Sequence, residues 1–587
     1  MSDYRPPIED IDFVLENIVR YDELAALPDF AHADLESVEE LLAAAGEFVA
    51  EAVAPVDRPG DVEGAQWHPD NTVTVPAAYR PAYAEFVKAG WPALPFPEEF
   101  GGGGFPWTIG LAVQEMLTSA SMGFSLAPLL TQGAIDALLH YGSDEQKAAY
   151  LPRMVSGEWT GTMNLTEPQA GSDVGALATR AVDNGDGSYA ITGQKIFISF
   201  GEHDLAGQIV HLVLARTPDA PAGTAGISCF IVPKFLLDEN GEPGERNAVK
   251  VLSIEHKMGI HGSPTCVMEY EGATGYLIGE LDKGMRIMFV MMNNARLSVG
   301  MEGLAVGERA YQKALAYATE RVQGKAVGAS ADSPIIDHPD VRRMLMTQKA
   351  YIAALRCLMY YQAGQLDRAN HHTDPAVRAR AAEVVGILTP VCKGFGTDLG
   401  VELTSMAVQV FGGLGFIEET GVAQHYRDIR IAPIYEGTNG IQAADLVGRK
   451  LPVRGGASVT EFLDQVGSID GELAAAGEDF AGIRASLAGA LDQLRTATRW
   501  MMAEGAASPD AALGGAAPYL RMWGLVVGGW FLAQSALAAR DGDAAATKLV
   551  LARFYAEQLL PAVAGLLPAA TGGAGDLFAL DAAQLAS

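Results

Sequence analysis

The sequence predicts an α+β fold built from an N-terminal helical domain, a central β domain, a C-terminal helical bundle and an appended helical domain. Three observations carry that expectation. Runs with helical spacing and Pro or Gly stops, such as DLESVEELLAAAGEFVAEAVAPV and GAIDALLHYG, fill 35–160. Beyond 161 the texture changes to short runs rich in β-branched and aromatic residues, separated by turn residues. From about 285 long amphipathic runs return. At 587 residues the chain also exceeds what one core ordinarily supports, so several domains are expected.

The first domain is placed at 1–160 and includes an N-terminal extension, IEDIDFVLENIV. Within it FPEEFGGGGFPW (96–107) must be a loop, because its four glycines break any helix. The β domain is placed at 161–284, with SYAITGQKIFISF, QIVHLVLAR, GISCFIVPK and PTCVMEYEGAT as strands and DNGDGS and DENGEPGE as turns. Val210, Leu212 and Leu214 share one strand face by their period of two. The bundle is placed at 285–452. Its first helix starts near NNAR, with Leu297, Met301 and Leu304 on one side and Tyr311, Leu315 and Ala318 continuing inward. PVRGGAS (452–458) reads as a linker to an Ala-rich helical domain at 459–587.

Hydrophobic content of 49% with 19% charged residues describes a folded chain, and a formal charge of −31 argues against nucleic acid and anionic membrane surfaces as partners. The four cysteines have no paired spacing and read as buried free thiols, which suits a reducing compartment. No basic segment followed by an apolar one opens the chain, so a cytoplasmic location is expected. MWGLVVGGWFLAQSALAA (522–539) has the length of a marginal membrane span, but its small and polar breaks favour a buried helix, and no integral span is expected.

Phosphate-loop, nucleophile-elbow, zinc-protease and dinucleotide-fold motifs are all missing, and the histidines show no metal-ligand spacing. No metal is expected. MNLTEPQAGSDVGA (163–176) is a compact irregular segment. It reads either as an ordinary capped turn or as a loop whose Thr166, Ser172 and backbone N–H groups serve a flat heteroaromatic or anionic ligand. Phe197 and Ser199 in GQKIFISFG fall on one side of a strand, as a core aromatic or as an aromatic platform. Arg296 at a helix start and Arg321 at a helix end read first as surface and terminal-carbonyl contacts. Glu436 differs. It follows the apolar IAPIY and precedes Gly437 and Thr438, a suitable N-cap for a helix through Leu446. A helix start favours its ionised form while apolar surroundings oppose it, the balance a catalytic base needs.

Seven segments in order, GEWTGTMNLTEPQAGSDVG, ITGQKIFIS, HKMGIHGSPT, MNNARLSVG, ERVQGK, VQVFGGLGF and RDIRIAPIYEGTNGIQ, resemble the acyl-CoA dehydrogenase family over roughly 80–450. The extensions at both ends resemble a larger bacterial subgroup that includes fatty acyl-CoA and 3-methylmercaptopropionyl-CoA dehydrogenases. The resemblance implies non-covalent FAD, with Leu165, Thr166, Gly171, Ser172 and Thr438 among its contacts and Phe197 and Ser199 beside the flavin ring. Family members usually carry Trp where Phe197 stands. Arg321, Gln409, Gly412 and Gly413 match positions that hold the adenine and pyrophosphate end of FAD from a neighbouring subunit. ERVQGK is one residue shorter than the usual motif, and Gly440 replaces a usual glutamine, so that glutamine contact is not carried over.

By the same resemblance Glu436 is the base that takes the α-proton of an acyl-CoA thioester. The Glu436 backbone N–H and a flavin hydroxyl would polarise the thioester carbonyl, and hydride would pass from the β-carbon to flavin N5. Ser172, Asn293, Arg296, Tyr435 and Gly437 match substrate-side positions. An electron-transfer flavoprotein is the implied acceptor, fatty acid β-oxidation the implied process, and a homodimer the expected assembly. The competing readings are an acyl-CoA oxidase that returns electrons to oxygen and a non-catalytic acyl-CoA-binding scaffold.

Overall fold

The computed structural model describes residues 4–587 and forms two compact units, one centred on Leu41–Ser298 and one made of Pro7–Glu40 with Val299–Ser587. The Asn293 side chain, and with it the substrate contact expected there, lies outside the described residues.

In the first unit the helices that lead directly into the sheet are α1 (Trp107–Ala120), α2 (Met122–Tyr141) and α3 (Asp144–Ser156). α3 begins in a reciprocal capping box between Ser143 and Gln146 and stops at Gly157, whose φ of 86° suits glycine. The sheet has seven strands: β1 (Trp159–Asn164), β2 (Arg180–Asp183), β3 (Tyr189–Ser199), β4 (Gln208–Ala215), β5 (Ser228–Pro233), β6 (Val249–Ile254) and β7 (Thr265–Leu277). Their order is β1-β4-β5-β7-β3-β2, with β6 also paired to β7. Only β1 and β4 run parallel; the remaining pairs are antiparallel. All four expected strand runs are present. β4 is buried at every residue, so Val210, Leu212 and Leu214 share a face whose opposite is covered as well, with Val213 and Ala215 in the sheet's apolar core. Alternation of residue type therefore marked a strand but not a solvent face.

The bundle helix starts earlier than expected. α4 runs Gly284–Glu320, so Arg296 lies well inside it and is 7% exposed, neither at a helix start nor at the surface. The apolar, Met-rich GMRIMFVMM carries helical spacing back to Gly284. From Asn294 to Ala310 every residue of α4 is buried, so Leu297, Met301 and Leu304 lie not on a buried stripe but on a helix enclosed all round, whereas Tyr311 and Leu315 are half-buried.

In the second unit α4 meets α5 (Pro339–His371) and α6 (Pro375–Phe411). A seam of glycines lets α4 and α6 touch backbone to backbone. A Cβ on Gly303 would lie 2.0 Å from the Gly396 carbonyl oxygen, and one on Gly400 2.7 Å from the Gly303 Cα. Gly303→Ala is expected to cost about 1–3 kcal/mol by overpacking, read as a lower urea midpoint at unchanged slope. The same unit holds α7 (Asn439–Asp445), α8 (Ala481–Trp500), α9 (Pro509–Ala539) and α10 (Ala545–Phe554). The 452–458 segment is a tied turn rather than a loose linker. Arg454 takes φ 50° and pairs with Glu383 and Glu461.

The appended helices pack directly on the bundle. A Cβ on Gly524 of α9 would enter the Phe395 ring of α6, and one on Gly528 would meet Ala354 of α5. The Ile8–Val14 helix of the N-terminal extension joins them through Asp10, whose carboxylate reaches Lys349 and Lys548 at 3.0 Å and Arg356 at 3.6 Å. Burial opposes its ionisation, but those three cations hold it well below the usual carboxylate range.

Among the described residues three helices are long and apolar enough to cross a membrane by length and composition: Met122–Tyr141, Pro375–Phe416 and Pro509–Ala539. Only the last overlaps the stretch expected from sequence. In the first and third, 83% of the apolar window is packed inside the protein, and that burial accounts for their hydropathy.

Candidate active site

The segment after the Val422–Ile429 helix winds through turns and reaches Glu436 in the left-handed region, φ 56°, followed by Gly437 at φ 84°. A positive φ at a non-glycine residue costs of order 1–3 kcal/mol and persists where the surroundings impose it. Here they do. Thr438 is the N-cap of α7, accepting from the Ile441 N–H at 3.3 Å as its position suggested. Past α7 the helix loosens into a wide turn over Leu446–Lys450. Gln442, fully buried, brings its amide within 3.3 Å of the Gly437 carbonyl. Glu436 itself is half-buried, as are Tyr435 and Gly437.

Two tethers that sequence reasoning missed fix this turn. Asn439 donates to the Gly394 carbonyl at 3.1 Å and the Asp398 carboxylate at 2.7 Å, and accepts from the buried Lys393 ammonium at 2.8 Å. On the other side the Tyr435 hydroxyl donates to the carboxyl of Glu302, both of whose oxygens lie 2.6 Å away. Glu302 is fully buried in α4. Burial pushes its carboxyl up to about 8, against the Tyr435 hydrogen bond and the Lys393 charge and reinforced by Glu436.

In the first unit the 165–176 segment links β1 to β2. Its scaffold is a second missed pair. Lys195 of β3, fully buried, donates to Glu167 at 2.8 Å and to the Leu165 carbonyl at 3.1 Å. Glu167 also accepts from the Ala178 and Thr179 N–H groups and the Thr179 hydroxyl. Burial works against the Glu167 charge, but Lys195 and these donors outweigh it and leave its pKa at about 2. Held in this way, Leu165 and Thr166 are half-buried while Gly171 and Ser172 face outward, and a Cβ on Gly171 would meet nothing within 4 Å.

Phe197 is no core aromatic. Two residues of β3 oppose one of β7 between the Lys195–Met268 and Ile198–Cys266 pairs. Phe197 lies in that bulge at φ 60° and is 59% exposed. Its ring and the half-buried Ser199 flank the buried Ile198. An exposed aromatic face held open by a strained backbone fits a flat heteroaromatic group. In the second unit Arg321 follows α4 directly, and Gln409, Gly412 and Gly413 sit exposed at the end of α6. Gly412 takes φ 60° with ψ −138°, a conformation glycine allows, and a Cβ on Gly412 or Gly413 would meet nothing. Open glycine backbone of this kind suits a pyrophosphate. Among the described residues no group of three or more His, Cys, Asp or Glu is placed to hold a metal ion.

The open aromatic on the bulged sheet and the pinned TEPQAGSD segment in the first unit, with the left-handed glutamate in the second, belong to a flavin-dependent oxidoreductase. The chain belongs to the acyl-CoA dehydrogenase family, whose members are flavin-dependent oxidoreductases. Residues 36–158 match the family's N-terminal domain, 162–273 its middle domain, 282–451 its C-terminal domain, and 457–581 the domain described as acetyl-CoA dehydrogenase C-terminal like. The chain is 47% identical to 3-methylmercaptopropionyl-CoA dehydrogenase of Ruegeria pomeroyi, over 95% of its own length and 96% of that protein. It is 35% identical to a broad-specificity linear acyl-CoA dehydrogenase of Mycobacterium tuberculosis, with 96% of each covered. In fold it resembles Caenorhabditis elegans ACDH-11 in complex with C11-CoA, with a TM-score of 0.78 at 20% identity over 95% of this chain and 92% of that one.

Proposed function

We propose that the protein oxidises an acyl-CoA thioester across its α and β carbons to the trans-2-enoyl-CoA, with Glu436 as the base that takes the α-proton. The observation that carries this reading is the imposed left-handed conformation of Glu436, a half-buried carboxylate fixed by hydrogen bonds on both sides of it in the chain. FAD is the cofactor, and when bound it supplies the acceptor for the β-hydrogen and its electron pair. By the family resemblance Leu165, Thr166, Gly171, Ser172, Phe197, Ser199 and Thr438 would hold its flavin half. Arg321, Gln409, Gly412 and Gly413 would hold the adenine and pyrophosphate half of a neighbouring subunit's cofactor, which would require at least a dimer.

A carboxylate is a weak base toward a carbon acid, so the thioester carbonyl must be polarised as the proton leaves. The Glu436 N–H supplies that donor in this reading, and Tyr435, Gly437, Ser172 and Arg296 orient the thioester and its CoA arm. Electrons then pass to an electron-transfer flavoprotein in the cytoplasm. Short thioether acyl groups, named in one relative, and linear ones, named in another, are the substrates this reading compares first.

The test is the anaerobic absorbance spectrum of the purified protein before and after acyl-CoAs of several lengths, with a methylthio-propanoyl thioester among them. Bleaching of the flavin bands by one class is expected. Retained flavin with no bleaching by any thioester would overturn the reaction, and a protein that neither carries nor takes up FAD would overturn the flavoenzyme.

A further inference from the structure

Glu302 calls for a role of its own. A carboxyl at a fully buried position of an all-round enclosed helix is unfavourable unless bonded, and an apolar residue would pack there without that cost. Its partner is the hydroxyl of Tyr435, the residue immediately before Glu436. Asn439 and Gln442 restrain the chain leaving Glu436, and the Tyr435–Glu302 hydrogen bond restrains the chain entering it. The groups whose charge reaches Glu302 are Lys393 from α6 and Glu436 from the turn itself.

We propose that Glu302, acting through the Tyr435 hydroxyl, is the positioning residue that aims the Glu436 carboxyl at the α-proton. The inference rests on reading Glu436 as the base. Glu302 touches no reacting atom in it; it removes the freedom of the Tyr435–Glu436 peptide, so that the carboxyl holds one direction at a left-handed residue. Its protonated state at neutral pH keeps a second negative charge away from Glu436, and it makes glutamine a faithful neutral replacement.

The test is a variant series in the FAD-loaded protein. Tyr435→Phe deletes the hydrogen bond and leaves both the ring and Glu302 in place, Glu302→Ala removes the acceptor, and Glu302→Gln keeps a neutral acceptor. Tyr435→Phe and Glu302→Ala should each slow flavin reduction by acyl-CoA about tenfold or more, because small errors in aim are costly to proton transfer. KM should stay within about twofold and FAD content should be unchanged, since uniform binding is not what the bond serves. Glu302→Gln should recover most of the rate. The Tyr435→Phe/Glu302→Ala double variant should be no slower than either single one, as for two groups acting as a unit.

Tyr435→Phe at the parent rate, additive losses in the double variant, or FAD lost in step with the rate would each overturn the proposal. Glu436→Gln measured alongside separates the two readings. Turnover in that variant removes the base assignment whatever the Glu302 series does, and an inactive Glu436→Gln beside a fully active Tyr435→Phe removes the positioning role alone.

Discussion

Glu436→Gln is expected to give a folded, yellow protein whose flavin acyl-CoA no longer reduces. Glutamine matches glutamate in shape, so the left-handed turn, the Thr438 cap and the Gln442 contact with the Gly437 carbonyl should all survive. What disappears is the ability to accept a proton. A positioned general base contributes about a hundredfold to ten-thousandfold, so the reduction rate should fall by about that factor. Stopped-flow absorbance at the flavin band, under anaerobic conditions and with saturating thioester, reads it directly. FAD content and the urea midpoint should match the parent, which separates lost chemistry from lost structure. Reduction within about tenfold of the parent would mean that another group takes the proton.

The turn itself was legible because its signals are local. An apolar run that stops at Glu436, a glycine next to it and a threonine able to cap a helix are all read within a few residues. The β domain was legible for a similar reason, since β-branched runs between Asp, Asn and Gly turns define strands without any knowledge of pairing. What the sequence hid was burial imposed by several neighbours at once. Glu302 and Lys393 look like ordinary polar positions of amphipathic helices, yet both are fully buried, because α4 and α6 are enclosed on more than one side. Periodicity reports a solvent face only where one exists. The same limit placed the start of α4 too late and Arg296 too near the surface. Phe197 failed in the opposite direction. An aromatic in a strand usually packs inward, but a bulge shifts the register at that point and leaves the ring exposed. Bulges depend on the partner strand, which a reading of one segment does not contain.

Lys195 is the other position where one substitution should have a large effect, and there the effect is on the fold before it is on the chemistry. Its ammonium is fully buried, depressed to about 8 by that burial against the pull of Glu167, and stays charged at neutral pH. Lys195→Met would leave the Glu167 carboxylate buried without its cation and the Leu165 carbonyl without its donor. Breaking one side of a buried pair costs about 3–5 kcal/mol, a sizeable fraction of the stability of a typical domain. A fall in the urea midpoint of the FAD-free protein should report that loss. A weaker hold on FAD should accompany it, because Leu165 and Thr166 hang from the same anchor. The Lys195→Met/Glu167→Gln double variant discriminates the cause. Its neutral amide can still accept from Thr179, and with no buried charge left over it should recover much of the midpoint. If the single variant is as stable as the parent, the pair is not what pins the segment. If the double variant is as weak as the single one, the donors on Thr179 and Ala178 require a full negative charge to hold the segment, and the ion pair matters through Glu167 alone.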